Sequence, residues 1–217
     1  MKKLSKVLSL VLVIAMVFSL CVIGASAKSF TDTDKVTANY KEAVDVVSDL
    51  GIIQGMTPTT FGGQGTLTRA QACALIARMT LGVTTADNMT VSGVKFTDVP
   101  ATFWGYKYVQ YCANAGIVSG VGGNKFDPNA NLTGYQFAKM LMAALGVDVS
   151  TCVGANWAIT TAQLFYKLGF SNVVITNAPL AREAATQMVY DALFYTANNA
   201  DKVWGVVGSH TVEDTGI

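Results

Sequence analysis

The chain has 217 residues, of which 51% are hydrophobic and 13% charged, with 15 Lys and Arg set against 14 Asp and Glu. That balance excludes the basic stripe of a nucleic-acid binder. A lone histidine, His210, leaves no His-based triad and no His-rich metal site.

Residues 1–27 read as a secretory signal peptide. Lys2, Lys3 and Lys6 precede an apolar run from Val7 to Ile23, and the small triplet Ala25-Ser26-Ala27 closes it. The run is shorter than the roughly 20 residues of a membrane span, so no membrane association is expected once the leader is cleaved. Cys21 lacks the small residues ahead of it that lipidation needs, because Phe18-Ser19-Leu20 stand there. Cleavage removes three lysines and leaves 12 basic against 14 acidic residues. It also leaves three cysteines, Cys73, Cys112 and Cys152, an odd number that cannot form a fully paired disulfide framework. Cys73 and Cys112 lie in apolar, helix-like stretches and read as small buried side chains.

The first unit, 28–83, contains two predicted helices. Tyr40, Ala43, Val44 and Val47 follow helical i, i+3, i+4, i+7 spacing, and Gly51 ends that helix. The second helix starts at Thr68, with Gln71 three residues on in the capping-box arrangement. It continues through Ala72, Cys73, Leu75, Ile76 and Met79, apolar on both sides, as a buried helix does. Residues 84–95 are rich in Thr, Ser, Asn and Gly and read as a loop linker. The second unit, 96–148, repeats the order. Tyr108, Tyr111, Cys112 and Ala115 mark its first helix before Gly116, and Thr133 with Gln136 opens its second. A divergent third unit, 149–197, begins near Trp157 and carries Leu168-Gly169-Phe170 and Pro179-Leu180-Ala181-Arg182-Glu183-Ala184. A polar tail, 198–217, follows.

The units are copies of one another. Gly51-Ile52-Ile53-Gln54-Gly55 recurs as Gly116-Ile117-Val118-Ser119-Gly120. Phe61 recurs as Phe126, and Leu67-Thr68-Arg69-Ala70-Gln71 as Leu132-Thr133-Gly134-Tyr135-Gln136, all at one shift of 65 residues. Phe30-Thr31-Asp32 matches Phe96-Thr97-Asp98 at a shift of 66, and the third copy follows the second at 48. One helix pair cannot cover its own apolar surface, so the copies are expected to pack together, the most buried helix of each meeting the others near a central axis.

These landmarks, with Phe96-Thr97-Asp98-Val99, Trp104 and Phe126-Asp127-Pro128, resemble the S-layer homology repeat over roughly Phe30 to Tyr195. The resemblance implies a mainly α fold: three helix-loop-helix repeats in a pseudo-threefold prism around a central three-helix bundle. It implies a protein of the cell wall or S-layer of a Gram-positive-type bacterium, held without covalent chemistry. Grooves between repeats would bind an anionic secondary cell-wall polysaccharide, which in that family often carries pyruvate ketals. The Arg of the Leu-Thr-Arg-Ala-Gln motif would meet the sugar, a role that falls to Arg69 and, by position, Arg182. Gly134 replaces it in the second copy, so at most two grooves keep a full binding set.

The residues themselves fit that role. A guanidinium offers a planar fork of donors matched to a carboxylate. In the first turn of a helix it is expected beside free backbone amides that favour an anion. An inter-repeat or surface tie is the alternative. Asp32 and Asp98 suit helix caps or turns, or hydrogen bonds to sugar hydroxyls. Trp104 and Trp157 suit stacking on a sugar face or anchoring a helix start. Gln71 and Gln136 complete the candidate glycan set. Asp127, Asn129 and Asn131 imitate a calcium loop, but Leu132 and Ala138 occupy positions that need Gly and Glu. Gly120-Val121-Gly122-Gly123 lacks the spacing of a phosphate loop. No catalytic residue, metal or cofactor is expected. The alternatives are a small secreted glycan hydrolase on the same scaffold, or an array component acting through lateral contacts with other S-layer proteins.

Overall fold

The computed structural model describes residues 29–93 and 96–198; the expected leader, and His210 in the tail, lie outside them. Among the described residues the chain is mainly helical, with isolated β-bridges and no longer strands. The α-helices are α1 (Lys41–Asp49), α2 (Arg69–Leu81), α3 (Val83–Asn88), α4 (Tyr106–Asn114), α5 (Gly134–Ala144), α6 (Trp157–Lys167) and α7 (Arg182–Asn198).

The helices form for the reasons legible in the chain. In α1, Ala43, Val44 and Val47 are buried on one face. The first helix of each copy then ends on a glycine in the left-handed region, Gly51 at φ +74°, Gly116 at +71° and Gly169 at +95°. There a side chain would be strained. The next amide folds back onto the helix each time: Ile52 N–H to Val47 O at 3.1 Å, Ile117 N–H to Cys112 O at 2.9 Å, and Phe170 N–H to Phe165 O at 3.4 Å. Capping boxes open α2 and α5, with Thr68 paired to Gln71 and Thr133 to Gln136. The three remaining cysteines are all buried, as is nearly every residue of α2 from Ala70 to Thr80.

Packing between copies is cyclic. α4 of the second copy packs on α2 of the first, α6 of the third on α5 of the second, and α1 of the first on α7 of the third. The second helices α2, α5 and α7 also touch one another pairwise. Beside them a ring of backbone hydrogen bonds joins three equivalent leucines. Leu132 N–H donates to Leu67 O (2.9 Å), Leu67 N–H to Leu180 O (2.9 Å), and Leu180 N–H to Leu132 O (2.7 Å). Leu180 is therefore the structural counterpart of Leu67 and Leu132 despite the shorter spacing.

The linker departs from the expected loop, because its first part is helix α3. Arg78 on α2 makes a two-pronged ion pair with Asp87, at 2.8 and 3.3 Å, and Tyr108 donates to the same carboxylate at 2.6 Å. Lys107 adds a hydrogen bond to the Asp87 carbonyl. Burial pushes the Asp87 carboxyl up, but the bonds from Arg78 and Tyr108 outweigh it and hold it below its ordinary value. Polar residues can form a helix here because their partners sit on α2 and α4, out of reach of a local reading of the segment.

Candidate glycan-binding grooves

Two clefts lie between the copies, and most of their lining residues stand at equivalent positions. The α2 groove, about 430 Å³, is bounded by the loop Ile53–Met56, by Gln71, Ala74 and Arg78 on α2, by Trp104 from the second copy and by Arg182 from the third. The α5 groove, about 390 Å³, is bounded by Gly116–Ser119, by Gln136, Lys139 and Ala143 on α5, by Trp157 from the third copy and by Arg69 from the first. Each groove thus takes its floor from one copy, its arginine from another and its tryptophan from the remaining one. Both volumes suit a sugar unit. Among the described residues, neither lining contains a carboxylate.

The arginines do more than face the grooves. Arg69 donates through Nε to Phe126 O (2.9 Å) and through Nη2 to Ser119 O (3.0 Å), with its guanidinium 4.4 Å from the Phe126 ring centre. Arg182 donates through Nη2 to Gln54 O (2.7 Å) and lies 5.4 Å from the centre of Phe61. Gln54 and Phe61 are the counterparts of Ser119 and Phe126, so both arginines make the same inter-repeat tie, to backbone carbonyls rather than to an acid. Arg182 is only 4% exposed, and its Nε has no protein acceptor. Burial lowers the pKa of both guanidinium groups, opposed at Arg69 by Asp127 and Asp98. Arginine nonetheless stays cationic in proteins.

The amides expected to be free at the helix starts are occupied. Arg69 and Ala70 N–H donate to Ala130 O and Pro128 O, both at 3.0 Å. Arg182 and Glu183 N–H donate to Gly65 O (2.8 Å) and Gly63 O (3.0 Å). Gln71 and Gln136 N–H go to the Thr68 and Thr133 hydroxyls. An anion in either groove would therefore meet side chains, and the helix termini serve the packing of one copy on the next.

Other members of the candidate set separate by role. The Gln71 and Gln136 side-chain oxygens accept from Thr68 and Thr133 N–H, at 3.0 and 2.9 Å, so each glutamine caps its helix while lining its groove. Trp104 is 55% exposed at the groove edge and is no core anchor. Trp157 is part-exposed and meets Tyr135 edge-on at 6.3 Å. Asp32 and Asp98 sit in turns, as one of their expected roles has it, and do not line these grooves. Asp32 precedes the short 3-10 turn Thr33–Lys35 without capping it through its side chain. The Asp32 carboxylate accepts from Phe61 and Gly62 N–H (2.7 and 2.9 Å), and Asp98 from Phe126 and Asp127 N–H (2.9 and 2.8 Å). Each clasps the start of a copy to its own loop, beside the ring pairs Phe30–Phe61 and Phe96–Phe126.

These bonds hold both carboxyls below the ordinary value of 3.8. At Asp32 the Gly62 and Phe61 amides are the main cause, and at Asp98 the Phe126 and Asp127 amides outweigh the effect of burial. A depressed carboxyl stabilises the fold fully above its unfolded value and loses that contribution as pH falls through the lower folded value. Asp98→Asn keeps one acceptor and turns an NH2 toward the other amide. We expect it to cost about 1–3 kcal/mol at pH 7, with a smaller difference from wild type below pH 4. Urea midpoints at pH 7 and pH 3 measure both, and equal midpoints at pH 7 would show that the clasp contributes nothing.

Sequence reasoning missed Lys139. It lies three residues after Gln136, hence on the same helix face, and that spacing was the available signal. At the position a third groove would take, the counterparts are lost together: Ala184 of the third copy stands at the Gln71 position, Gly134 of the second at the arginine position, and Ala38-Asn39-Tyr40 rather than a tryptophan precede α1 of the first.

Comparison with known proteins gives a consistent grouping. A family model described as S-layer homology domain matches residues 29–73 and 95–138. The chain is 36% identical over 148 residues to a cell surface protein of Thermoanaerobacter kivui, covering 67% of this chain and 19% of the relative. It is 31% identical over 186 residues to the surface-layer 125 kDa protein of Lysinibacillus sphaericus, covering 78% and 15%. An endoglucanase of Bacillus sp. (strain KSM-635) is 31% identical over 152 residues, covering 66% and 15%. The chain spans less than a fifth of the length of these relatives.

Proposed function

Because this chain is an S-layer homology domain protein, we propose that it attaches non-covalently to the bacterial cell wall by binding an anionic wall polysaccharide in the α2 and α5 grooves. The observation that carries this reading is the repetition of one lining in two places. Each groove joins a tryptophan, a capping glutamine and an arginine drawn from three different copies, with no acid among them. At the equivalent third position the arginine, the tryptophan and the glutamine are all absent, although they would come from three different copies.

Chemically, the guanidinium donors left over from the carbonyl ties suit a carboxylate on the sugar. The exposed face of Trp104 suits the apolar face of a pyranose ring. Two weak sites on one rigid body gain retention through effective concentration, with no bond made or broken. Relatives named as a surface-layer protein and as an endoglucanase each match this chain over only 15% of their length, which supports an attachment role for the shared part. Pyruvate ketals on the glycan, and lateral contacts with other S-layer proteins, belong to the same proposal as its finer points.

A pull-down of the full chain on purified Gram-positive wall sacculi, before and after acid extraction of the secondary polysaccharide, tests it. Retention should be lost on extraction. Retention that survives would shift the ligand to peptidoglycan, and no retention on walls from several sources would overturn the proposal.

A further inference from the structure

The two grooves match in shape but not in available charge. Resting on the reading above, we propose that they are unequal sites, and that Lys139 makes the α5 groove the tighter one for an anionic sugar.

In the α5 groove two cations line one cleft, Arg69 and Lys139. The Lys139 position corresponds to Ala74 in the α2 groove. The α2 groove has a second cation of its own, Arg78, where the α5 groove has Ala143. Arg78, however, is committed. Its Nε and Nη2 both bind Asp87, and Nη2 also reaches the Tyr108 hydroxyl at 3.2 Å. That pair is close to neutral as seen by a ligand, and Lys107, tied to the Asp87 carbonyl, is not part of the lining, which leaves Arg182 as the uncompensated cation of the lining.

Lys139 is held differently. Its ammonium donates once, to the Cys152 carbonyl at 2.6 Å, in the segment that carries Val149 and Ser150 into the groove lining. A neutral acceptor leaves the charge uncompensated, and an ammonium has two further N–H donors. The single tie also restricts a side chain that otherwise loses much rotamer freedom on binding. The nearest acid along that segment, Asp148, turns its carboxylate to the Ser150 amide at 2.9 Å. Asp127 and Asp98 act on Arg69 and work against the difference.

The test is calorimetric titration of the full chain with acid-released wall polysaccharide fractionated to single repeating units, which cannot bridge two grooves. Two sites are expected, differing by about tenfold, with the tighter one more sensitive to salt. Lys139→Gln keeps a donor for Cys152 but removes the charge, and should bring the tighter site down to the weaker. Lys139→Arg should retain the difference. Trp104→Ala, at an exposed position, should remove the weaker site alone. Two equal sites, three sites, or a difference untouched by Lys139→Gln would overturn the inference while leaving groove binding intact. No heat of binding to a fraction drawn from walls that retain the chain would overturn both.

Discussion

Arg182→Ala is expected to lower wall retention by about a hundredfold and to destabilise the fold by about 2–3 kcal/mol. The first effect follows from bivalency, since losing one of two grooves forfeits the effective-concentration gain. The second follows from what the side chain touches. At 4% exposure it ties the third copy to the first through Gln54 O and covers the Phe61 ring. Truncation removes a charge-assisted hydrogen bond and the packing of a long aliphatic stem. Arg69→Ala should behave alike through Ser119 and Phe126, with a smaller loss of stability because it is only half-buried.

The two effects are separable. Arg182→Lys keeps the charge but loses the planar fork, so it should recover part of the retention and little of the inter-repeat tie. Retention measured on sacculi at a temperature where helical content is intact, alongside thermal melts, distinguishes them. Wild-type retention in the Arg69→Ala, Arg182→Ala double variant would take the arginines out of recognition and leave them as struts.

Restoring the missing arginine should fail to restore a third groove. A side-chain carbon at position 134 would come within 2.8 Å of the Thr176 amide nitrogen and 3.1 Å of the Ile175 Cα, both backbone atoms. The approach is fixed by Tyr135 N–H to Thr176 O (3.4 Å) and by the Leu180 to Leu132 bond of the leucine ring (2.7 Å). Gly134→Arg therefore has to move the third copy's loop away from α5. Overpacking of this kind costs about 1–3 kcal/mol, and the helix propensity regained on replacing glycine, about 1 kcal/mol, offsets only part of it. The expected outcome is a melting point a few degrees lower and retention no better than wild type. Stability equal to wild type with stronger retention would mean that the loop yields, and that the groove was lost only for want of its arginine.

Much of the fold was legible beforehand because its signals are local. The capping boxes at Thr68 and Thr133, the helix-ending Gly51, Gly116 and Gly169, and the buried faces of α1 and α2 depend on residues within about five positions of one another. By contrast, α4 buries Val109 and Gln110 and leaves Ala115 exposed, against the expected face. The register of the copies also carried over, down to Leu180 closing the leucine ring. The site was legible as a set of residues but not as an arrangement. Asp32 and Asp98 read as caps, turns or sugar ligands; they do sit in turns, but the amides they bind, 28 to 30 residues away, lay outside a local reading. The helix-start amides looked available because the carbonyls that occupy them belong to another copy. Helix α3 looked like a loop because the partners that order it, Arg78 and Tyr108, lie outside it.

The sequence by itself determined the repeat, the two helices of each copy and which residue types stand at equivalent positions, since period and capping are set by neighbours along the chain. Tertiary structure alone decided that Arg182 belongs to the groove of Gln54, 128 residues away, and that each groove is built from three copies. It also decided that Gly134 marks a close backbone approach as well as a missing cation. The physical reason is that cyclic packing carries each copy's opening helix onto its neighbour, so the chemistry gathers at interfaces that no single repeat contains.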